Sequence, residues 1–379
     1  MPYDWIDENA IPPLARGMRL ALFGAGEGSV QFLEWLANHA PGCLVLAVAD
    51  NDPTMHGRSL HGLPVVSPES VLQMPLDLVV VTTVSGRDAV AGQLRARGLE
   101  EGRQFVRIGA YPAAGVRHLP LLLEMDERFG VLAQARDILH VGPGGFLGLE
   151  CGLHALLGAR VAGLDLHGFG VAWPEVGSRR AEYAAAREQT LALARARGRD
   201  AAAVAARWDA LFAERGGRLY LESPSLDFLF PHDFSGLPQP DASLDLVCSF
   251  AVLEQVREPE LCAEQVRRVL RPGGWAVFTV ITRDHRSFGK VEGYTPISYR
   301  RHSAEEWERI NAGKFYQNRL APWQWRELFR AEGLEEALYQ VQGTYVPDAA
   351  ELAALHPDFT GWSPERQSEV NCTLVLRRP

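Results

Sequence analysis

Paired cysteines are missing from this 379-residue chain: Cys43, Cys151, Cys248, Cys262 and Cys372 stand alone, none in a CxxC arrangement. That pattern excludes a zinc cage of paired thiolates and a secreted disulfide framework, and leaves reduced, mostly buried thiols. No apolar run reaches the roughly 20 residues that a membrane helix requires. The opening MPYDWIDENA lacks the basic start and apolar centre of a signal peptide, so a soluble, cytoplasmic protein is expected. Positive charge is short as well. The 38 Lys and Arg residues face 47 Asp and Glu, a net charge of −9. This disfavours a broad electrostatic grip on nucleic acid and leaves only a local basic patch open.

What the chain does have is length and apolar content. With 379 residues it is too long for one ordinary core, and at about 150 residues per domain two or three domains are expected. A hydrophobic share of 47% is enough to pack them.

Two glycine loops organise the sequence. From Met18, RLALF, GAGEGS and VQFLEWLANHA predict strand, loop and helix, with Val30, Leu33 and Ala37 on one helical face. CLVLAVADND and LDLVVVTT follow as further strands, the latter ending near Ser85-Gly86. This alternation belongs to a parallel, doubly wound sheet. Gly24, Gly26 and Asp50 have the spacing of an accessory nucleotide site, a loop at a helix N-terminus for phosphate and a carboxylate for a ribose. A dinucleotide fingerprint would place a third glycine at 29, where this chain has Ser29. The first sheet is expected to end near FVRIGAY, with a linker over 112–120.

The same order then repeats. DILHV predicts a strand, GPGGFLG a loop and LECGLHALLGA a helix with Leu149, Leu153, Leu156 and Leu157 on one face. The next strand, RVAGLDLHG, carries Asp165, 23 residues after Gly142. A segment rich in Ala, Arg and Glu predicts a helical insertion over about 175–217, its arginines either a solvated face or contacts to an anionic substrate. A strand ending at Asp233, the strand LDLVCSF, a helix, an RPGG turn, the strand WAVFTV and a last strand, CTLVLRR, complete the series.

Two family resemblances rest on these motifs. GAGEGSVQFLEWL with AVADNDPTMHGRSLHGLPVVSPE resembles the small Rossmann-like domain found ahead of sugar acyltransferases and fused to bacterial transferases. That implies either a nucleotide-sugar ligand or a structural role. HVGPGGFLG, VAGLDLHG, PHDFSGLPQPDASLDLVCSFAVLEQV and RVLRPGGWAVFTV, in this order, resemble the class I S-adenosylmethionine-dependent methyltransferases over about residues 118–379. The implied fold class is α/β, with two Rossmann-like doubly wound sheets. The second is a seven-stranded methyltransferase sheet whose antiparallel last strand completes the domain. The expected division is 1–111, a linker over 112–120, and 121–379.

The second resemblance implies S-adenosylmethionine as cofactor. It implies a donor site of His140, Gly142, Gly144, Gly145, Asp165, Leu166, Asp233, Phe234, Ser249 and Phe250. Asp165 would accept the ribose hydroxyls, and Asp233 with Phe234 would meet the adenine. Two positions depart from the family pattern. An acid is usual where His140 stands, so the contact to the methionine amino group is expected elsewhere. Glu254-Gln255 replaces a common Glu-His pair.

After the fifth strand, ITRDHRSFGKVEGYTPISYRRHSAEEWERINAGKFYQNRLAPWQW is dense in groups that bind or deprotonate. Methyl transfer is an in-line displacement that needs alignment and, for a hydroxyl or protonated amine, loss of a proton. His285 is the candidate base, with His302 and Tyr299 behind it; the alternative for His285 is a bond to a loop carbonyl. Glu254, Tyr316, Asn318 and Arg319 are candidates for the acceptor pocket. No metal is expected among His167, His232, His285 and His302, since no HxxxH or HxH pair is present. Neither an Asn-Pro-Pro-aromatic motif nor a Pro-Cys nucleophile points to nucleic-acid bases. The expected activity is therefore methylation of oxygen or nitrogen on a small-molecule or sugar-related acceptor. An NAD-dependent oxidoreductase using the first loop, and a non-catalytic binding or assembly protein, are the alternatives. The first domain offers a surface for a homodimer, and no membrane partner is expected.

Overall fold

Residues 19–23 bury Leu20 and Leu22 in one apolar cluster and Ala21 and Phe23 in another, as a parallel strand covered on both faces must. In the computed structural model, which describes residues 5–84, 86–110, 116–166, 173–176, 179–288, 291–311 and 316–379, this strand is β1 of a six-stranded sheet. Its members are β1 (Arg19–Phe23), β2 (Leu44–Ala49), β3 (Ser59–Leu60), β4 (Leu63–Val66), β5 (Leu78–Val81) and β6 (Phe105–Arg107), in the order β3-β4-β2-β1-β5-β6. All pairings are parallel except the short β3–β4 hairpin. The helix Glu27–His39 buries Val30, Phe32 and Leu36, while Ala37 is exposed. The buried face is thus turned one position from the predicted Val30-Leu33-Ala37 stripe, because Phe32 takes the central place.

The chain forms two compact units that interleave in sequence. Unit 1 comprises Met1–Pro112, Arg283–Arg319 and Tyr345–Gln367; unit 2 comprises Ala113–Thr282, Leu320–Thr344 and Ser368–Pro379. The two later stretches of unit 1 fall in what the sequence assigned to the C-terminal domain. Val291 joins the apolar cluster of Leu20 and Leu22. The Tyr294 hydroxyl donates to the Thr54 carbonyl at 2.6 Å, and Arg58 donates to the Glu292 carbonyl at 2.9 Å. Residues 112–115 of the expected linker, together with Ser85, Tyr111 and His167, lie outside the described residues. Val116 is already part of the unit 2 core.

Unit 2 holds β7 (Asp137–Val141), β8 (Arg160–Leu164), β9 (Phe212–Arg215), β10 (Arg218–Leu221), β11 (Leu226–Leu229), β12 (Leu244–Phe250), β13 (Leu270–Ile281), β14 (Glu335–Thr344) and β15 (Glu369–Arg377). Seven of them form one sheet in the order β11-β8-β7-β12-β13-β15-β14. β15 runs antiparallel to both neighbours, and the remaining pairs are parallel. Two doubly wound sheets, the second seven-stranded with an inserted antiparallel last strand, are what the motifs predicted. The RPGG segment is not a separate turn. It bulges within β13, where the partner shifts from Leu244↔Leu270 to Leu246↔Trp275.

The insertion is helical over Arg180–Ala196 and Ala201–Asp209, then becomes the β9–β10 hairpin. The helix expected to continue to 217 is overruled by Gly216 and Gly217, both at positive φ (58° and 75°), which suit a two-residue hairpin turn. Its arginines are engaged locally: Arg187 pairs with Asp209 at 2.8 Å and Arg207 donates to the Ala155 carbonyl at 2.6 Å.

At the amino ends of the central strands, Asp245 Oδ2 accepts from the Arg136 and Asp137 amides at 2.8 and 3.0 Å, and Arg271 bridges Asp245 and Asp137 at 2.6 and 2.9 Å. These bonds hold the Asp245 carboxyl below its ordinary range against the opposing effect of burial. Asp245→Asn should cost about 1 kcal/mol in urea unfolding at neutral pH, since the site is partly solvated. No loss of midpoint would show that the bridge contributes nothing.

Candidate active site

The carboxyl ends of β7, β8 and β12 meet where the chain leaves β7 to one side and returns on the other, the place at which open α/β sheets bind ligands. The loop after β7 needs its glycines. Gly142 has φ +83°, and a Cβ there would lie 2.2 Å from Val252 Cγ2; Gly144 has φ +68°. Gly142 N donates to the Leu164 carbonyl at 2.8 Å. Asp165, buried just beyond β8, accepts from Gly144 N at 3.1 Å through Oδ2. Its own amide donates to Leu229 O at 3.0 Å, and its carbonyl accepts from His232 N at 2.9 Å. One residue therefore ties the segments that follow β7, β8 and β11. Leu166 follows it, half exposed.

The strand before Asp233 ends at Leu229, short of the predicted end. Asp233 Oδ1 accepts from Ser235 N at 2.9 Å in a local turn. Phe234 departs from expectation more sharply. It is buried in the core, its ring edge-on to Phe278 with centroids 6.2 Å apart, so it is not placed to stack on a ligand. The exposed aromatic in this segment is Phe230, which the sequence reading passed over; its signal was an aromatic before proline at a strand end. Ser249 is also structural, its Oγ donating to the Val141 carbonyl at 2.8 Å across β12 and β7. Phe250 stacks on His118 at 4.2 Å and is tilted against His140 at 5.6 Å. Gly145 lies buried within the loop.

Two acids of unit 2 bear on the site. Glu150, in the first turn of the helix Gly148–Leu157, meets His140 Nδ1 at 2.6 Å with both side chains buried. Neither Glu150 nor His118 was singled out from sequence, since in a chain reading Glu150 is one more helix-start acid. Glu254 is buried after β12, with the Ile281 amide 3.4 Å from Oε2, and burial pushes its carboxyl up to about 8.

In unit 1 the first loop follows a similar plan. Asp50 Oδ2 accepts from Ala25 N at 2.8 Å. Gly24 has φ +114°, and Gly26 is the N-cap of the following helix. The close helix–strand approach is made at Gly28, where a Cβ would lie 2.2 Å from the Thr82 carbonyl oxygen. Ser29 donates to the Gly24 carbonyl at 2.6 Å, so it locks the loop.

The candidate bases also belong to unit 1. Tyr299 is fully buried and its hydroxyl accepts from Arg300 Nε at 3.0 Å, an arrangement of packing rather than proton transfer. Arg319 donates to the His302 carbonyl at 2.8 Å and pairs with Asp358 at 2.9 Å. Asn318 is buried and Tyr316 half-buried. His302 lies against Trp307 and 3.3 Å from an Arg286 nitrogen; burial, then that guanidinium, lowers its pKa. His285 is half-buried, its amide donating to Gln317 Oε1 at 3.0 Å, and burial pushes its imidazole down to about 4 against the pull of Asp284.

Residues 175–278 match a sequence family described as a methyltransferase domain. That span contains the β9–β10 hairpin, β11, β12 and most of β13, with Asp233, Ser249, Phe250 and Glu254. Comparison with curated proteins gives no match. Among solved structures the chain is similar to an S-adenosylmethionine dependent methyltransferase from Mesorhizobium loti, with 19% identity and TM-score 0.38 over 70% of this chain and 100% of that one. It is also similar to geranyl diphosphate C-methyltransferase from Streptomyces coelicolor A3(2) in complex with Mg2+, geranyl diphosphate and S-adenosyl-L-homocysteine, with 14% identity and TM-score 0.35 over 69% of this chain and 80% of that one. The matched segment is similar to a methyltransferase domain, and it lies in the same doubly wound sheet as the glycine loop. The resemblance of its glycine-loop motifs implies S-adenosylmethionine as the methyl donor. The residues fit such a donor: a loop with no room for a Cβ, a carboxylate at the next strand end, and the exposed apolar Leu166 and Phe230.

A carboxyl that is neutral when folded and ionised when unfolded makes stability fall as pH rises between its two pKa values. For Glu254 that window runs from 4.5 to about 8. Glu254→Gln lacks this penalty. It should match the wild type in unfolding free energy near pH 5 and exceed it by roughly 2–4 kcal/mol at pH 8. A difference that does not change with pH would rule out the buried neutral acid.

Proposed function

We propose that the protein transfers a methyl group from S-adenosylmethionine to oxygen or nitrogen of a small-molecule or sugar-related acceptor. The observation that carries the donor side is the loop of Gly142 and Gly144 closed by the Asp165 carboxylate at the carboxyl ends of the parallel strands. When bound, the donor supplies an electrophilic methyl group on a sulfonium. Asp165 would hold the ribose hydroxyls, exchanging its bond to Gly144 for theirs, and Leu166 and Phe230 offer apolar surface for the adenine. The sugar-related option is supported by the resemblance of the first glycine-loop region to the small domain found ahead of sugar acyltransferases. The accessory loop of Gly24, Gly26 and Asp50 would serve a sugar-bearing nucleotide or hold the fold.

Isothermal titration calorimetry with S-adenosylhomocysteine tests the donor assignment. Micromolar or tighter binding is expected, weakened tenfold or more in Asp165→Ala; no binding by the wild type would sink it. His285 is the proposed proton acceptor. With its pKa near 4 the imidazole is neutral at pH 7, so kcat/KM should stay flat down to about pH 5, and His285→Ala should lower kcat at least tenfold with donor affinity unchanged. An acid limb near the ordinary histidine value of about 6.5 would contradict this assignment.

A further inference from the structure

We infer that Glu150, oriented by His140, binds the α-ammonium of the methyl donor's methionine end, an assignment that rests on reading unit 2 as the donor domain. β7 turns Ile138 and His140 toward the face covered by the helix Gly148–Leu157, and Glu150 comes down from that helix. His140 is 4% exposed and Glu150 1%. Their bond satisfies one atom of each. His140 Nε2 and Glu150 Oε2 remain buried with no hydrogen-bond partner among the described residues. Leaving two such atoms unmet is costly, so the site calls for a third group.

The chemistry of that group follows from the proton count. With Nδ1–H donating to the Glu150 carboxylate at 2.6 Å, Nε2 carries a lone pair and is an acceptor. Glu150 Oε2 is an acceptor too. The missing partner at Oε2 must therefore donate, and beside a carboxylate it is best a cation. A primary ammonium donates to Oε2 and complements the carboxylate's charge, while Nε2, on the far side of the imidazole from Nδ1, is beyond its reach. A sulfonium has no N–H to donate, and a carboxylate would be repelled. His118, stacked on Phe250, is kept neutral by burial, which pushes its pKa down to about 3, so it adds no competing positive charge.

Position supports the same occupant. Gly163 on β8 pairs with His140, and a Cβ on it would lie 3.1 Å from Glu150 Oε1, 3.0 Å from Leu147 Cδ2 and 3.3 Å from Pro143 Cγ. The carboxylate thus sits against the glycine loop at a point where the neighbouring strand has been stripped of its side chain. An acid from the helix takes the charge that the strand position of His140 does not provide.

The test is calorimetric titration of the full chain and of Glu150→Gln with two ligands. S-adenosylhomocysteine carries the ammonium; 5′-methylthioadenosine keeps the adenosine and sulfur but lacks the amino-acid end. Glu150→Gln should bind S-adenosylhomocysteine at least tenfold more weakly and 5′-methylthioadenosine as before, and adding His140→Asp should recover part of the loss. Equal weakening for both ligands, or none for either, overturns the inference. A wild type that binds neither ligand overturns the donor reading itself. Should Glu150→Gln not fold by circular dichroism, His140→Gln is read against the same two outcomes.

Discussion

A carboxylate that closes a glycine loop is the constraint on which both units are built. Asp165 accepts the Gly144 amide at 3.1 Å and Asp50 accepts the Ala25 amide at 2.8 Å, each just past the strand beside the one that feeds the loop. Amides in such loops have no carbonyl partner within the following helix and carry partial positive charge. The acid satisfies one of them and fixes the spacing of two strand ends. In unit 2 it also ties in the chain after β11 through the Asp165 backbone, so the crevice at the switch point is shaped before a ligand arrives.

The two units differ in what they do with buried polar groups. Unit 1 pairs several of them with one another. Asp284 and Arg286 pair at 2.7 Å with the guanidinium over the Tyr294 ring, and buried Arg300 is held by Tyr299 and the Gln367 carbonyl. Such networks tie the later stretches of unit 1 to one another, while Tyr294 on Thr54 and Arg58 on Glu292 join them to its first stretch. Unit 2 leaves polar capacity unspent near its loop: the His140–Glu150 pair with one open atom on each member, and Glu254 kept neutral by its surroundings. Desolvated polar groups with open valences, next to backbone that cannot carry a Cβ, mark where a charged ligand would repay their cost.

Much of the architecture was legible in the chain because it rests on local, repeated signals. Apolar runs of strand length ending in glycine loops announced β1 and β7, and acids after the next runs announced Asp50 and Asp165. Where two signals competed, the local reading slipped. An alanine-rich composition concealed the turn at Gly216-Gly217, and Phe234, read as a ligand-facing aromatic, turned inward to meet Phe278. The buried face of the first helix shifted by one residue because Phe32 outweighs the small Ala37.

The sequence by itself determined the order of strands, loops and acids, because each depends on residues within a few positions of one another. Only the tertiary structure decided that residues 283–319 and 345–367 pack with unit 1, and that Glu150 stands beside His140. Both depend on partners distant in the chain or on separate elements. Val291 finds Leu20 and Leu22 in one cluster, and an imidazole on a strand finds a carboxylate on the helix that covers it. Pairings of that kind are set by the burial of whole faces, which no short stretch of sequence encodes.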